Sequence, residues 1–495
     1  MMLQNQARRI LFDAGEIGGM IGGACRGNLR ALVDNVQLDS RLCSKGSLFV
    51  ALRGERVDGH DYIVSALLKG ASCVLADAER AHSVLASLDQ SALSDACIIF
   101  VDRTLLGLQR LAREHRRRIK GLIRIAVTGS SGKTTTKECI GAALSAALPA
   151  GKIAVGAGNL NSDSGLPLAL FTLEAQHEIA VFEMGMNRRG EMDELVELYE
   201  PDIAIITNIG TAHIGLIGSR QGIAQEKKKI FSRFNGSQKG YVWDSDDYKA
   251  FLMADVRGSV REFGLASTKG YEGAESLGLL GWRISWMGET FVFPIPGMHN
   301  LLDALAALSV VGDMNLEPKL LCEGLSRVKP LFGRSELFFG KISLYRDCYN
   351  ANPESARAVL DLCDSVQWPG RKIYVLGGMR ELGELSGSEH AILGERLAES
   401  NADALFFFGE ETEISHAAAL KAMDLRTDGK KKIPSYHTND IGSLIEKVLS
   451  ATREGDLVVV KASRGLELER LTEAMFESGW VDRNKTGIEG VGNAS

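Results

Sequence analysis

Gly129-Ser130-Ser131-Gly132-Lys133-Thr134 follows the apolar run Ile125 to Val127 and opens a stretch rich in helix formers. A glycine turn at the start of a helix exposes backbone N–H groups at the positive end of the helix dipole, where phosphate oxygens bind. Lys133 can reach the β- and γ-phosphates of a nucleotide, Thr134 can offer its hydroxyl to Mg²⁺, and Thr135 extends the same turn. The spacing departs from the standard loop: a glycine is expected at 127, but Val127 stands there and the first glycine is Gly129. The alternative reading is a plain strand-turn-helix junction with a solvated lysine. Glu183 ends another apolar run, Ile179 to Glu183, where a carboxylate can bind Mg²⁺ or stand in water as a strand-end acid. These residues point to a nucleotide with Mg²⁺ and do not name a reaction.

An α/β framework must position them. "IAVTG", "IAVFEMG" and "IAIITNIG" are continuous apolar runs of the kind buried in a parallel sheet, each ending in small or polar residues. "HNLLDALAALSVVGDM" reads as a later helix of the same domain. Before them, "GSLFVAL" and "ASCVLAD" read as strands around the helix "DYIVSALLKG". After them, "KIYVLGG", "ADALFFFGE" and "DLVVVKAS" form a second α/β series of Rossmann-like character. At 495 residues the chain is too long for one core. Three domains are expected: 1–118, a central ATPase domain with a mainly parallel sheet at 119–329, and 330–495. The basic stretch Arg113 to Arg124 reads as a solvated helix end and linker, and the tail after about Arg483 as disordered.

Composition narrows the class. The chain is 45% hydrophobic and 24% charged with a net charge of −6, which suits a soluble globular protein and argues against a nucleic-acid or anionic-membrane binder. Neither a signal peptide within Met1 to Gly23 nor a membrane-length apolar run is visible. The eight cysteines are scattered without a Cys-x-x-Cys, as expected of free thiols in the cytoplasm.

Seven or so blocks, in order along nearly the whole chain, resemble the Mur ligases of peptidoglycan synthesis. The phosphate loop "TGSSGKTTTKE" is similar to that family's version, including its shorter glycine spacing. "DSRLCSKGSLFVALRGERVDGHDYI" resembles the family's UDP-sugar-binding first domain. "GNLNSDSGLPL", "EMGMNRRGEM", "TNIGTAHI" and "PGMHNLLDALAA" resemble its ATPase motifs. "DCYNANPESARAVL", "VLGGMRELGE" and "VKASRGLELE" resemble its third domain.

The resemblance implies roles. Asp39, Ser40 and Arg41 would hold the UDP-sugar, with a turn or cap as the bland reading for Ser40; Asn161 would also contact substrate. Glu183 and His213 would bind Mg²⁺, and Lys227, in "AQEKKKIF", aligns with a lysine that the family carbamylates into a metal ligand. The neighbouring Lys228 and Lys229 keep a solvated lysine run open as the alternative. Asn300 would lie near the adenine, although Asn300 with Asp303 also resembles a helix N-cap. Arg334 would point at the nucleotide phosphates. Asp347, Asn350, Asn352, Lys461, Ser463 and Arg464 would close over ATP and an incoming dipeptide. Ser162, Gly378 and Arg346 stand where the family usually shows Asn, Asp and an acid.

The implied activity is an ATP-dependent amide-bond-forming ligase. The terminal carboxylate of a UDP-N-acetylmuramoyl tripeptide would become an acyl phosphate, and the amine of D-Ala-D-Ala would displace phosphate. Small-molecule substrates, no nucleic acid, no membrane insertion and a monomer are the expected partners and state. The family's tripeptide-forming member usually carries Asp-x-Pro-Arg in its third domain, absent here. A folylpolyglutamate synthetase would lack the Asp39 to Ile63 block, and a GTPase would carry the missing Asn-Lys-x-Asp.

Overall fold

A computed structural model describes residues 9–54, 56–88, 92–427 and 431–487. The chain forms two compact units: residues 1–126, 151–186 and 190–202, and residues 127–150, 187–189 and 203–495.

In the first unit a five-stranded sheet runs Ala24–Gly27, Cys97–Val101, Cys73–Asp77, Ser47–Val50, Asn35–Gln37. Its last four strands are parallel, and Ala24–Gly27 is antiparallel to its neighbour. The central strands are buried throughout, which is why they read as unbroken apolar runs rather than alternating ones. Phe49, Val74, Ile98 and Phe100 pack on one face with Ile63 and Ala66 of the helix Ile63–Leu68.

The helix Thr104–Arg118 carries the first half of the basic stretch; Arg117, Arg118 and Lys120 are exposed as a solvated helix end would be, but two basic residues of the stretch are not. His115 and Arg116 are buried; Arg116 reaches Glu200 at 3.0 Å, and the His115 ring packs beside Phe12 and Phe171. Arg124 binds Asp202 through both guanidinium and backbone. Arg116 and Arg124 therefore anchor this helix and the strand after it through acids distant in sequence, and His115 does so through aromatic packing and Leu173 O.

The strand Ile123–Thr128 begins in the first unit and ends in the second. In the first unit Ile179–Glu183 pairs in parallel with Ile153–Val155, and in the second Ile203–Ile206, Lys239–Trp243 and Ser259–Phe263 run parallel side by side. Val127, which displaces the expected glycine, is a wholly buried residue of Ile123–Thr128. The turn that could bind phosphate consequently starts two residues later.

The second unit continues with an antiparallel three-stranded sheet (Tyr271–Ser276, Trp282–Trp286, Glu289–Phe293), the helix Met298–Val311 and a seven-stranded sheet. The order of the last is Ser435–Thr438, Ala404–Phe408, Lys372–Gly377, Leu457–Lys461, Ser343–Asp347, Glu336–Gly340, Val481–Thr486. The first five strands are parallel. Leu457–Lys461 returns late in the chain between two earlier strands, so connections diverge on either side of it, the arrangement that opens a crevice at the strands' C-terminal ends. Val481–Thr486 is a strand paired with Glu336–Gly340, so the chain beyond Arg483 stays ordered to Gly487; the rest of the tail expected to be disordered, like residues 1–8, lies outside the described residues.

All eight cysteines are free thiols, seven of them buried. Among the described residues no helix is long and apolar enough to cross a membrane.

Candidate nucleotide and ligase site

The phosphate loop lies in the second unit between the strand Ile123–Thr128 and the helix Lys133–Ala147. Gly132 precedes the helix at φ 81°, and a Cβ there would lie 2.1 Å from Asp303 Oδ1. A Cβ on Gly129 would lie 1.8 Å from Thr207 Oγ1. Both glycines are thus required by close approach as well as by the turn. Asn208 holds the loop in two directions: its Oδ1 accepts from Ser131 N (3.0 Å) and its Nδ2 donates to Ser131 O (3.1 Å). Thr207 Oγ1 donates to the same carbonyl, and Ser130 Oγ accepts from Gly210 N at 2.9 Å. Thr134 is buried at the start of the helix, and Thr135 is half-buried beside it.

Lys133 Nζ donates to Gly129 O at 2.8 Å, and Lys227 Nζ donates to the same oxygen at 2.9 Å. Lys227 is wholly buried, so the solvated lysine run is not what this residue is. Lys228 lies over the Phe251 ring, and Lys229 pairs with Glu226. Burial first, and the Lys133 charge next, push the Lys227 amine well below the ordinary lysine range.

Asn300 is not the helix cap. The helix Met298–Val311 starts two residues earlier, after Gly297 at φ 95°. Asn300 Nδ2 donates instead to Pro296 O (2.6 Å) and Ser335 Oγ (3.1 Å). Asp303 is buried, accepts from Thr136 Oγ1 at 3.3 Å, and is pushed up by its burial. Asn300 and Arg334 line a cleft with Thr135, Glu138, Ile295 and Lys329. The Arg334 guanidinium lies 4.2 Å from the Tyr349 ring centroid.

The third-domain residues gather at the C-terminal ends of neighbouring parallel strands. Asp347 and Lys461 are register partners, with Lys461 Nζ 2.9 Å from Asp347 Oδ2 and donating to Asn350 O at 2.6 Å. Asn352 caps the helix Pro353–Ser365 and donates from Nδ2 to Ser131 Oγ at 3.0 Å, which brings this residue to the phosphate loop. Ser463 Oγ accepts from Arg380 N at 3.1 Å. Arg464 turns to Glu469 and lies over the Phe332 ring. The two departures here have structural reasons. A Cβ on Gly378 would lie 2.8 Å from Glu411 Oε2, so another carboxylate occupies the space. Arg346 is buried, bound to Glu336 through Nε (2.7 Å) and Nη2 (2.9 Å).

His213, at φ 64°, lies beside the third domain: Nδ1 is 2.9 Å from Glu381 Oε2, close but without a well-aligned hydrogen bond. His213, foremost, holds the Glu381 carboxyl below its usual range. Thr207 and Asn208, which hold the loop, and Glu354 and Glu381, which meet Thr211 and His213, were not singled out from the sequence; polar residues directly after the buried run "IAII" were the available signal for the first two.

In the first unit Glu183 is buried at its strand end, and Asn161 Nδ2 donates to Oε2 at 3.1 Å. Ser162 Oγ accepts from Gly165 N at 3.1 Å, a local turn contact. At the other candidate cluster the capping residue is Asp39 rather than Ser40: Asp39 Oδ1 accepts from Arg41 N at 2.9 Å. The Arg41 guanidinium grips the same carboxylate and holds it down to about 2. Ser40 is buried in the turn that follows.

A phosphate chain fits the glycine cradle and its lysine. Thr134 offers a hydroxyl oxygen at the start of its helix, and in the first unit Glu183 offers a carboxylate, both of the donor type Mg²⁺ takes; the His213 imidazole is a softer donor. No cluster of three or more His, Cys, Asp or Glu side chains forms among the described residues.

Three family models match in chain order: the Mur ligase family catalytic domain over residues 32–116, the Mur ligase middle domain over 127–311, and the Mur ligase glutamate ligase domain over 333–464. The chain belongs to the Mur ligase family. Among its relatives is the UDP-N-acetylmuramoyl-tripeptide–D-alanyl-D-alanine ligase of Treponema pallidum, 40% identical over 443 residues, covering 88% of this chain and 93% of that protein. The ligase of the same name from Bacillus subtilis is 34% identical over 454 residues, 91% and 94% of the two chains. Of solved structures, MurF from Acinetobacter baumannii superposes with a TM-score of 0.83 at 27% identity, covering 95% of this chain and 99% of that one. The MurF ligase from Thermotoga maritima in complex with ADP gives 0.73 at 27% identity, covering 90% and 97%.

Proposed function

We propose that this chain joins D-alanyl-D-alanine to UDP-N-acetylmuramoyl-tripeptide at the expense of ATP, through an acyl phosphate, in peptidoglycan synthesis. The observation that carries the reading is near-full-length kinship with ligases of that name, at 40% identity over 93% of one of them. The three domains are taken as residues 1–118, 119–329 and 330–495. The first binds the UDP-sugar through Asp39, Ser40 and Arg41. The second binds ATP, and the third closes over both ATP and the dipeptide.

In the first step a tripeptide carboxylate oxygen attacks the γ-phosphorus, and ADP leaves. The carboxylate, a poor acyl donor, becomes a mixed anhydride. The dipeptide amine then adds to its carbonyl carbon, loses a proton, and phosphate departs as the amide forms. No covalent bond to the protein is needed, so positioning and charge neutralisation carry the rate. Gly129, Ser130, Ser131, Gly132, Thr134 and Thr135 cradle the phosphates, and Lys133 offsets their charge. Mg²⁺, when bound, would be held by Thr134, Glu183, His213 and a carbamylated Lys227, and would supply charge neutralisation at the phosphate oxygens. Support for carbamylation is the burial of Lys227, which favours the neutral amine, the form that reacts with carbon dioxide. Asn300 and Arg334 attend the nucleotide. Asp347, Asn350, Asn352, Lys461, Ser463 and Arg464 frame the dipeptide side, with Asn161 on the tripeptide.

A cytoplasmic monomer completes the reading; free thiols and a nucleotide-linked substrate support the compartment. The test measures phosphate release and amide product from ATP and UDP-muramoyl tripeptides ending in diaminopimelate, lysine or ornithine, with and without D-Ala-D-Ala. Dipeptide-dependent release with one tripeptide is the expected result. Release indifferent to the dipeptide, or none with any tripeptide, overturns the assignment.

A further inference from the structure

Glu354 is the second residue of the helix Pro353–Ser365, just after its cap Asn352. Both of its carboxylate oxygens are engaged by one residue of a distant loop. Oε1 accepts from Thr211 N at 2.9 Å, and Oε2 accepts from Thr211 Oγ1 at 2.9 Å. The fit is close, because a Cβ on Gly210 would lie 2.9 Å from the Glu354 carboxyl carbon.

The gripped loop is the one that builds the phosphate site. Upstream of Thr211, Thr207 and Asn208 hold Ser131, and Gly210 N donates to Ser130 Oγ. Two residues downstream is His213. Gly215 N then donates to Glu381 O at 3.0 Å. The same helix end meets the phosphate loop directly through Asn352 Nδ2 on Ser131 Oγ. Residues from the segment matched by the third-domain model thus reach the central segment at Ser131, Thr211, His213, Gly215 and, through Ser335, Asn300, and the Thr211 contact is the one made through two well-formed hydrogen bonds to a single side chain.

We propose that Glu354 is a positioning residue for the ligase reaction: its two-point grip on Thr211 couples docking of the third domain to the arrangement of the phosphate loop and His213. The inference rests on the ligase reading. An acyl phosphate is destroyed by water, so a docked third domain protects it, and weakening the grip uncouples ATP cleavage from amide formation.

The grip asks for an acceptor facing an N–H and a second polar atom facing a hydroxyl. Glutamine supplies both, since its oxygen accepts from Thr211 N and its amide donates to Thr211 Oγ1. Glu354→Gln therefore keeps the grip while removing the charge, Glu354→Ala removes both, and Thr211→Val removes one contact from the other side. Two measurements decide. In hydrogen exchange on the full chain without substrates, the amide of Thr211 exchanges at least tenfold faster in E354A and within about threefold of the unmodified protein in E354Q. In turnover assays E354A loses about tenfold or more in kcat for amide formation, with the KM for ATP changed less than about threefold, and releases phosphate in excess of amide product. E354Q stays coupled, and T211V is intermediate. Equal damage from E354Q and E354A assigns the role to charge and overturns the proposal. Unchanged exchange and coupling in E354A also overturn it. Should E354A not fold, T211V carries the same comparison. If the unmodified chain makes no amide at all, the ligase reading fails, and the exchange arm alone still decides whether Glu354 grips Thr211.

Discussion

Two lysines donate to one carbonyl oxygen, and the chemistry follows from which of them keeps its proton. Lys133 and Lys227 both lie within 3 Å of Gly129 O, and only Lys227 is wholly buried. Burial and the Lys133 charge disfavour a second ammonium and push the Lys227 amine well below the ordinary lysine range. Incubation with ¹³C-bicarbonate is expected to give a carbamate carbon resonance that disappears in Lys227→Arg; an unchanged spectrum refutes carbamylation there. Lys133→Ala should lose at least about a thousandfold in kcat, the scale of removing a preorganised charge from a transition state. Retained activity would remove the loop from the mechanism. Lys133 was legible from its motif alone. Lys227 stands among three lysines, and only burial, a tertiary property, separates it from Lys228. Asp39 and Arg41 show the converse limit: the Arg41 type suited a substrate phosphate, and its pairing with Asp39 was not legible from type alone.

Apolar strands were legible because a parallel strand buried on both faces must read as an unbroken apolar run. Pairings between strands were not. Arg346 looked like a misplaced charge until the register set it opposite Glu336, with Phe332, Phe338 and Phe476 around its guanidinium. Removing one member of a buried ion pair strands the other, so Arg346→Ala should cost about 3–5 kcal/mol, whereas Arg346→Met with Glu336→Leu should recover most of it. Denaturant unfolding of the single and double variants checks this, and an undamaged R346A would show that the pair contributes little. The start of the helix Met298–Val311 was also misplaced, because a glycine at φ 95° begins it where a polar cap was expected. Gly132 makes the complementary case. Gly132→Ala sets a methyl 2.1 Å from Asp303 Oδ1 at a left-handed turn, and should lower stability by about 1–3 kcal/mol while weakening ATP binding in calorimetry. A variant that binds ATP normally would show that the loop has room it is not seen to have.

Acid sensitivity joins these local facts at the scale of the whole chain, since each compact unit buries a histidine. Burial lowers His115, in the first unit, and His299, in the second, to about 4 from an ordinary 6.5. The sign follows from proton counting. Between pH 6.5 and about 4 the unfolded chain holds a proton on each ring that the folded chain does not, so stability is lost as pH falls through that window. The loss is about 3 kcal/mol per histidine across the whole window, and about 2 kcal/mol by pH 5. Asp303 opposes it: burial raises its carboxyl, so the folded chain keeps a proton that the unfolded chain releases as pH rises, and this contribution favours folding toward acid. Asp303 therefore offsets part of what the two histidines together dictate, and the comparison must be made variant against parent. His115→Phe keeps an aromatic ring beside Phe12 and Phe171 and gives up the hydrogen-bond contact with Leu173 O, lowering stability at pH 7.5. It should nevertheless lose about 2 kcal/mol less than the parent on going from pH 7.5 to 5 in urea unfolding. Parallel profiles for the two proteins would show that the buried ring takes up its proton without unfolding.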